Sequence, residues 1–288
     1  MNPSRTEPDG LLLADDVCSL ALVRRLAALL DHDPALFCQG DRLPHGWHPL
    51  LFNTPTRQSE LRLDGAPGLG ADLPDLGLPR LMIGGRRARF PGEILIGESL
   101  RRETRRTRVQ EKTGRSGRFA VVTIEHRIFG ESSAQPVLIE EQDYLLREAA
   151  TSADPGSGPG TSVGAGAGAQ PATTPASEAI RVLTVDEALL FRYSAMTDNP
   201  HRIHYDHRYT TEVEGYPALV VNGTIPAMFL LEMFREASGR EPMEVASRNV
   251  APMFCGETLQ LHARQQDGGW RLWATKPDGV LSFDAQAH

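Results

Sequence analysis

A segment that is almost free of apolar side chains divides this chain near its middle. Residues 150–179 consist mainly of Gly, Ala, Pro, Ser and Thr, and Val163 is the only sizeable apolar side chain among them. Such a composition cannot bury enough apolar surface to offset the entropy lost on ordering. We therefore predict a flexible linker at 150–179, which separates an N-terminal unit at 1–149 from a C-terminal unit at 180–288.

The bulk composition is that of a globular protein. The chain has 288 residues, of which 40% are hydrophobic and 23% charged, enough for about two domains with buried cores. The net charge of −7 argues against nonspecific nucleic-acid binding. The cysteines are scattered without metal-ligand spacing: Cys18, Cys38 and Cys255. Free thiols of this kind indicate a reducing cytoplasm.

The first apolar run, Leu11–Leu30, has the length of a signal sequence or a membrane span. Four charged residues interrupt it: Asp15, Asp16, Arg24 and Arg25. These charges argue against both interpretations, so no membrane association is expected. The run instead predicts an amphipathic helix near residues 13–31.

The rest of the N-terminal unit predicts strands after an irregular stretch. Residues 33–80 are rich in Pro, Gly and Asp and predict little regular structure. Strands are expected from about Arg86 onward. Gly114–Gly117 is a turn sequence, so residues 100–128 predict a hairpin. Val137–Leu146 is a further strand candidate.

The C-terminal unit predicts helices followed by short strands. Thr184–Glu187 is a capping-box pattern that starts a helix through Met196. A second helix, Ile225–Ala237, is apolar nearly all round and is expected to be buried, with Thr224 as its cap and Gly239 at its end. Four strands are predicted to follow: Arg248–Phe254, Thr258–Arg264, Gly269–Thr275 and Val280–Phe283. A buried helix wrapped by an antiparallel sheet is an α+β arrangement.

The most informative motif is Tyr193–Asp206, which reads Tyr-Ser-Ala-Met-Thr-Asp-Asn-Pro-His-Arg-Ile-His-Tyr-Asp. His201 and His204 stand three residues apart, and Asn199 precedes them. The histidines could form a metal pair, but no third ligand follows at ligand spacing, so no metal is expected. They could be structural hydrogen-bonding groups. We favour a third interpretation, activation of a water molecule by an imidazole.

Gly223 lies where an extended stretch becomes the apolar helix. A glycine there permits a tight turn. It also exposes free N–H groups at the positive end of a helix, where they could stabilise an oxyanion. The motif upstream favours the second role.

Two further polar segments could have either a structural or a functional role. The arginines of 101–118 could bind phosphate or form a solvated strand face. Glu140-Glu-Gln142 could be a catalytic group or the polar residues of a strand. The chain lacks the serine elbow, the P-loop and the dinucleotide fingerprint, so neither covalent catalysis nor a nucleotide cofactor is supported.

The motif Tyr193–Asp206, together with Val213–Val221 and Gly223, resembles the MaoC-like enoyl-thioester hydratases and dehydratases. The most similar branch contains the hydroxyacyl-thioester dehydratases type 2 and the mesaconyl-CoA hydratases. The N-terminal unit resembles the same branch at Arg57–Glu60, Glu111–Gly117 and Glu140–Asp143.

The resemblance implies two hot-dog folds in tandem, each a central helix wrapped by an antiparallel sheet. It implies one active site per pair, carried by the second fold, with the first shaping the substrate tunnel. The substrate would be an acyl thioester of coenzyme A or of a carrier protein, with no other cofactor. The internal pairing of two folds leaves both a monomer and a homodimer open.

The resemblance also assigns roles to residues. His204 takes the position of the catalytic histidine, and Asn199 stands where related enzymes place an aspartate. Because an amide cannot accept a proton at neutral pH, His204 is expected to be the base, with Asn199 and His201 holding the water. Gly223 is expected to polarise the thioester carbonyl, beside Asn222, which replaces a histidine common in related enzymes.

Within this branch the sequence favours hydration of a short branched dicarboxylic substrate, itaconyl-CoA or mesaconyl-CoA, to citramalyl-CoA. Tyr205 and Arg202 are expected to contact the substrate, and Arg202 could pair with its free carboxylate. Other arginines are alternatives for that carboxylate: Arg86, Arg87, Arg89 and Arg248. The other functions considered are dehydration of 3-hydroxyacyl groups on a carrier protein and thioester binding without catalysis.

Overall fold

A computed structural model describes residues 5–6, 10–53, 55–66, 73–78, 80–114, 117–148, 179–266 and 268–288. In these ranges the chain forms one antiparallel sheet and three α-helices. The strands are β1 Arg5–Thr6, β2 Leu12–Val17, β3 Arg80–Arg89, β4 Ser99–Gly114, β5 Gly117–Gly130, β6 Leu138–Arg147, β7 Ala179–Thr184, β8 Glu244–Asn249, β9 Thr258–Gln266, β10 Gly269–Thr275 and β11 Leu281–Ala287. The helices are α1 Leu20–Leu29, α2 Glu187–Met196 and α3 Thr224–Ser238.

The strand order shows how the two halves join. It runs β1-β2-β4-β5-β6-β3-β8-β11-β10-β9-β7, so the strands of each half stay together. The halves meet at β3 and β8, which pair antiparallel from Gly85 opposite Arg248 to Arg89 opposite Glu244. The fold is thus the α+β double hot dog that the sequence predicts.

The helix α3 is the buried centre of the C-terminal half. It packs against β9, β10 and β11, and Phe234 on it is completely buried. Gly239 ends the helix in the left-handed region at φ 68°, a conformation that glycine adopts without steric cost. α1 contacts α2, and one apolar cluster includes Leu26 of α1 and Met228 of α3. The two halves therefore share a core.

The predicted helix at 13–31 is wrong in its first third. Leu12–Val17 is a strand that pairs with β4, and the helix begins only after Ser19. The carboxylate of Asp16 accepts a hydrogen bond from the backbone N–H of Phe52, at 2.5 Å. A short apolar run does not distinguish a strand from a helix by its periodicity; pairing with β4 decides for the strand.

Both predicted helix caps are also wrong. Asp186, not Thr184, caps α2 by accepting from the N–H of Leu189 at 2.8 Å. Thr184 belongs to β7. Thr224 does not cap α3; its hydroxyl lies 2.5 Å from the hydroxyl of Tyr193, and Gly223 occupies the cap position. In each case the threonine hydroxyl that was predicted to cap a helix contacts a distant residue instead, Thr258 for Thr184 and Tyr193 for Thr224.

Most strand predictions are confirmed in place but not in extent. The hairpin forms from β4 and β5, with a bulge at Arg106/Arg108. The predicted strand Arg248–Phe254 is displaced, because β8 ends at Asn249 and only Phe254 bridges onward, to Val220. β3 begins at Arg80, before the predicted start, and β11 extends to Ala287.

The segment 33–80 contains three short 3-10 turns: Pro34–Leu36, His48–Leu50 and Gln58–Glu60. The predicted linker lies outside the described residues, except for Ala179, which already begins β7. Among the described residues, no helix is both long and apolar enough to cross a membrane.

Candidate active site

A cavity of about 1410 Å³ lies between the two halves. Its walls include Phe52, Arg86 and Arg102 from the N-terminal half, and His204 and Gly223 from the C-terminal half. The site is therefore shared between the two folds, although the motif belongs to the second.

His204 is held in one orientation at the wall of this cavity. A 3-10 turn at Arg202–His204 turns its side chain inward, and the residue is only 8% exposed. Its Nδ1 lies 2.8 Å from the carbonyl oxygen of Val220. A carbonyl oxygen only accepts hydrogen bonds, so Nδ1 carries the proton and Nε2 keeps a free lone pair.

The surroundings keep His204 neutral. Burial lowers its pKa to about 4; the bond to Val220 opposes this shift, and the neighbouring His201 adds to it. At neutral pH the imidazole is therefore a proton acceptor through Nε2.

His201 stands next to His204, with ring centroids 5.6 Å apart and ring planes at 90°. Asn199 supports the loop, because its Oδ1 accepts from the backbone N–H of His201 at 3.2 Å. The Nε2 of His201 lies 3.9 Å from the carboxylate of Asp64. Burial lowers the pKa of His201, against an attraction to Asp64 and Glu214 that raises it.

Asp64 is a residue that the sequence interpretation missed. It lies in the irregular stretch of the N-terminal half, where its carbonyl oxygen accepts from the N–H of Arg202 at 2.8 Å. A side chain at Gly65 would collide with the carbonyl oxygen of Pro200. The stretch around Gly65 therefore packs tightly against the histidine motif. Local sequence patterns do not predict this contact, because the two segments are far apart in the chain.

Gly223 presents its backbone at the start of α3. Its N–H has no hydrogen-bond acceptor among the described residues. A Cβ at this position would collide with the side-chain oxygen of Asn249, so any larger residue here would have to displace the Asn249 side chain. An unpaired N–H at a helix N-terminus can donate to a developing oxyanion.

Asn222, beside Gly223, is 5% exposed, and its Oδ1 is buried without a hydrogen-bond partner. Both residues line the cavity, as do Asn199, His201 and His204. The structure thus brings together five of the seven residues predicted for the site. Their catalytic and binding roles remain predictions.

The structure places Tyr205 and Arg202 away from the cavity. Tyr205 is 52% exposed. The guanidinium of Arg202 pairs with Asp206 at 2.8 Å and lies 4.0 Å from the centre of the Tyr209 ring. The turn that directs His204 inward directs these two neighbours outward, so neither is positioned to contact a substrate in the cavity.

A buried polar cluster of the N-terminal half reaches the cavity through Arg86, Gln142 and His126. The sequence predicts Glu140 and Gln142 to be catalytic or strand residues, but it does not predict the cluster. Glu140 is 5% exposed; its carboxylate lies 3.3 Å from Arg86 and 3.5 Å from His48. Gln142 donates to Glu140 at 2.7 Å. The spacing of Glu140 and Gln142 could have indicated their contact, since residues two apart on a strand lie on the same face.

Charge balance holds this cluster together. Burial acts to raise the pKa of Glu140, but Arg86 and His48 overcome it and keep the pKa well below its usual range. Burial also lowers the pKa of His126 to about 4, and the nearby charge of Arg102 adds to that shift. His126 is therefore neutral, with Nδ1 2.8 Å from the hydroxyl of Thr104.

The arginines of 101–118 follow the solvated-face interpretation over much of β4. The exposed Arg105 pairs with the buried Glu125, and Arg118 pairs with Glu111 at the surface. Arg102 and Arg108 differ because they line the cavity.

Comparisons with known proteins agree with this fold. The family model for hydroxyacyl-thioester dehydratase type 2 matches residues 46–255. A mesaconyl-C(4)-CoA hydratase of Chloroflexus aurantiacus is 36% identical over 277 residues, which cover 94% of this chain and 92% of the relative. The chain belongs to the hydroxyacyl-thioester dehydratase type 2 family of MaoC-like proteins, and it is a hydro-lyase.

Solved structures show the same fold at low identity. A MaoC-like dehydratase from Phytophthora capsici superposes with a TM-score of 0.68 at 12% identity, covering 99% of this chain and 95% of that one. A Mycobacterium tuberculosis protein described as a double hotdog fold gives a TM-score of 0.59 at 16% identity, covering 100% and 96%.

Proposed function

We propose that this protein is an acyl-CoA hydratase that adds water to a short branched dicarboxylic enoyl-CoA. Mesaconyl-CoA and itaconyl-CoA are the proposed substrates, and citramalyl-CoA is the product. The observation that carries the proposal is that His204, with its unprotonated Nε2, and Gly223, with its unpaired N–H, line one cavity. The 36% sequence identity to a mesaconyl-C(4)-CoA hydratase, over most of both chains, supports the substrate class.

The reaction uses these two groups in sequence. The N–H of Gly223 donates to the thioester carbonyl oxygen, which becomes negatively charged as the oxygen of water adds to the β-carbon. The Nε2 of His204 takes the proton of that water. His204 then returns this proton to the α-carbon as the enolate collapses, so that one water is added across the conjugated double bond of mesaconyl-CoA.

Asn199 and His201 complete the water site. The Oδ1 of Asn199 is occupied by the N–H of His201, which leaves its amide N–H groups as donors. His201 stands perpendicular to His204. We assign both residues to orienting the water and His204 alone to proton transfer.

The test is a spectrophotometric hydration assay with mesaconyl-CoA, itaconyl-CoA and crotonyl-CoA. Loss of the conjugated thioester absorbance with mesaconyl-CoA, and much less with crotonyl-CoA, is the expected result. The double bond of itaconyl-CoA is not conjugated to the thioester that becomes citramalyl-CoA, so its hydration is followed by chromatography of the product. Hydration of crotonyl-CoA alone would overturn the substrate class. Turnover restricted to long 3-hydroxyacyl groups on a carrier protein would favour the dehydratase alternative, and no turnover on any of these would favour binding without catalysis.

A further inference from the structure

The arginines that line the cavity differ in how their charge is balanced. Most have a carboxylate within ion-pair distance. The pairs are Arg62 with Asp64 at 3.0 Å, Arg86 with Glu140 at 3.3 Å, Arg87 with Asp143 at 2.7 Å and Arg248 with Asp284 at 2.9 Å. Among the described residues, Arg102 has no such pair, and the exposed Arg108 donates only to the hydroxyl of Thr123. Arg102 is thus the inward-facing cation of the cavity without a carboxylate partner.

Arg102 is surrounded largely by protein groups rather than by solvent. Its guanidinium lies 4.9 Å from the centre of the Phe52 ring. Its Nε is fully buried and has no hydrogen-bond partner among the described residues. Burial lowers its pKa, while Glu140, Tyr144 and Asp16 act in the opposite direction. A guanidinium stays protonated in proteins, so Arg102 brings a positive charge to the cavity wall.

The neighbouring carboxylates act on this guanidinium from a distance, and neither forms an ion pair with it in the described part of the chain. Glu140 is already engaged by Arg86, His48 and Gln142. The oxygens of Asp16 accept from backbone N–H groups, those of Val17 at 2.7 Å and Phe52 at 2.5 Å. A buried charge and a buried donor without partners are both unfavourable. A carboxylate in the cavity would pair with the guanidinium and offset its charge, since a guanidinium binds carboxylates through parallel N–H donors.

The cluster around Arg102 is connected to the start of α3. Arg86 and Glu140 interact electrostatically with Tyr193, which is buried. The hydroxyl of Tyr193 lies 2.5 Å from that of Thr224, the residue after Gly223. Tyr193 therefore contacts the residue next to the candidate oxyanion site, and both line the same cavity as Arg86 and Arg102.

We propose that Arg102 binds the free carboxylate of a dicarboxylic acyl thioester and thereby determines the substrate class. This inference rests on the proposed function, because it assumes that the thioester lies at Gly223. The N-terminal half would then supply the specificity of the enzyme, and the C-terminal half its chemistry.

Equilibrium binding tests this assignment without requiring turnover. Succinyl-CoA and butyryl-CoA have acyl groups of the same length, and only the first ends in a carboxylate. Isothermal titration of the wild-type protein should give a lower Kd for succinyl-CoA. Arg102→Met should raise that Kd roughly 10- to 100-fold, the worth of a charged hydrogen bond, and leave the Kd for butyryl-CoA within about twofold.

Two further variants keep the test decisive. Arg102→Lys retains the charge and should keep part of the preference for succinyl-CoA. This variant allows the test to be made even where Arg102→Met does not fold. Arg101→Met is the matched control, because Arg101 is the neighbouring exposed arginine of β4 and does not line the cavity. It should change neither Kd.

Distinct results would overturn the inference. Equal affinity of the wild-type protein for the two thioesters would exclude a carboxylate site. An equal loss of affinity for both in Arg102→Met would show that Arg102 is structural. If succinyl-CoA is preferred through Arg102 but no enoyl-CoA is hydrated, the carboxylate site stands and the proposed hydratase activity fails.

Discussion

The Nδ1 of His204 donates to the carbonyl oxygen of Val220 across 2.8 Å. Val220 lies three residues before Gly223, so one extended stretch fixes the imidazole tautomer and then begins the helix that presents the free N–H. The base and the oxyanion donor of the proposed reaction are thus placed relative to each other by four consecutive residues, Val220–Gly223.

Replacing His204 by Gln should lower kcat about 10²- to 10⁴-fold, the usual contribution of a general base. The glutamine retains a donor but cannot accept the proton of water at neutral pH. Steady-state hydration kinetics measure the effect, with thermal unfolding to confirm the fold. His207→Gln is the control, because His207 is exposed and lies outside the cavity. Wild-type turnover in His204→Gln would exclude His204 as the base.

Replacing Gly223 by Ala should reduce kcat/KM about 10²-fold, because the new methyl group collides with Asn249 and displaces the N–H from its position. Asn249→Ala removes the colliding group, so the double variant should recover part of the loss. The same assay, run on both single variants and the double variant, measures this coupling. A fully active Gly223→Ala protein would contradict the proposed oxyanion role.

Acid should destabilise the fold through its buried histidines. The pKa values of His204 and His126 are about 4 in the folded protein, against 6.5 without burial. Between these values the unfolded chain binds more protons, so the contribution of these two histidines to stability falls as the pH drops from 6.5 to 4, and it is constant below pH 4. Each histidine contributes up to about 3 kcal/mol to that fall.

Urea unfolding at pH 7 and pH 4.5 measures this linkage. His126→Gln should show a smaller drop between the two pH values than the wild-type protein. The exposed His207→Gln should show the wild-type drop. An unchanged drop in His126→Gln would mean that His126 is not held neutral by burial.

Two adjacent glutamates provide a matched test of the polar cluster. Glu140→Gln leaves the charge of Arg86 buried without its partner and should cost about 3–5 kcal/mol of unfolding free energy. Glu141→Gln breaks the pair of Glu141 with Arg87 at the surface, where an ion pair contributes about 0–1 kcal/mol. Chemical denaturation of both proteins gives the comparison. Equal losses would show that burial does not separate the two pairs.

Local patterns predicted the elements whose signals lie within a few residues. The turn at Gly114–Gly117, the apolar helix α3 and its end at Gly239 follow from turn chemistry, periodicity and the conformational freedom of glycine. The histidine motif was also visible, since His201, His204 and Asn199 stand close together in the sequence. The resemblance it carries led to the correct fold and family.

The same local reasoning failed where a distant partner decides. Leu12–Val17 became a strand because β4 offers it an edge. Thr184 does not cap α2 because it belongs to β7. Thr224 does not cap α3 because its hydroxyl contacts that of Tyr193. Polar residues that alternate along a strand predict a solvated face, so the buried positions of Glu140 and Arg102 were not foreseen.

The sequence alone therefore determined the chemistry on offer: an imidazole pair, an amide and a glycine at a helix start, in a protein of two α+β halves. Only the tertiary structure decided which groups meet. It turned His204 inward and Arg202 outward, brought Asp64 to His201, and left Arg102 facing the cavity without a carboxylate. The physical reason is that burial and charge pairing depend on contacts between residues far apart in the chain, which strand pairing and core packing establish.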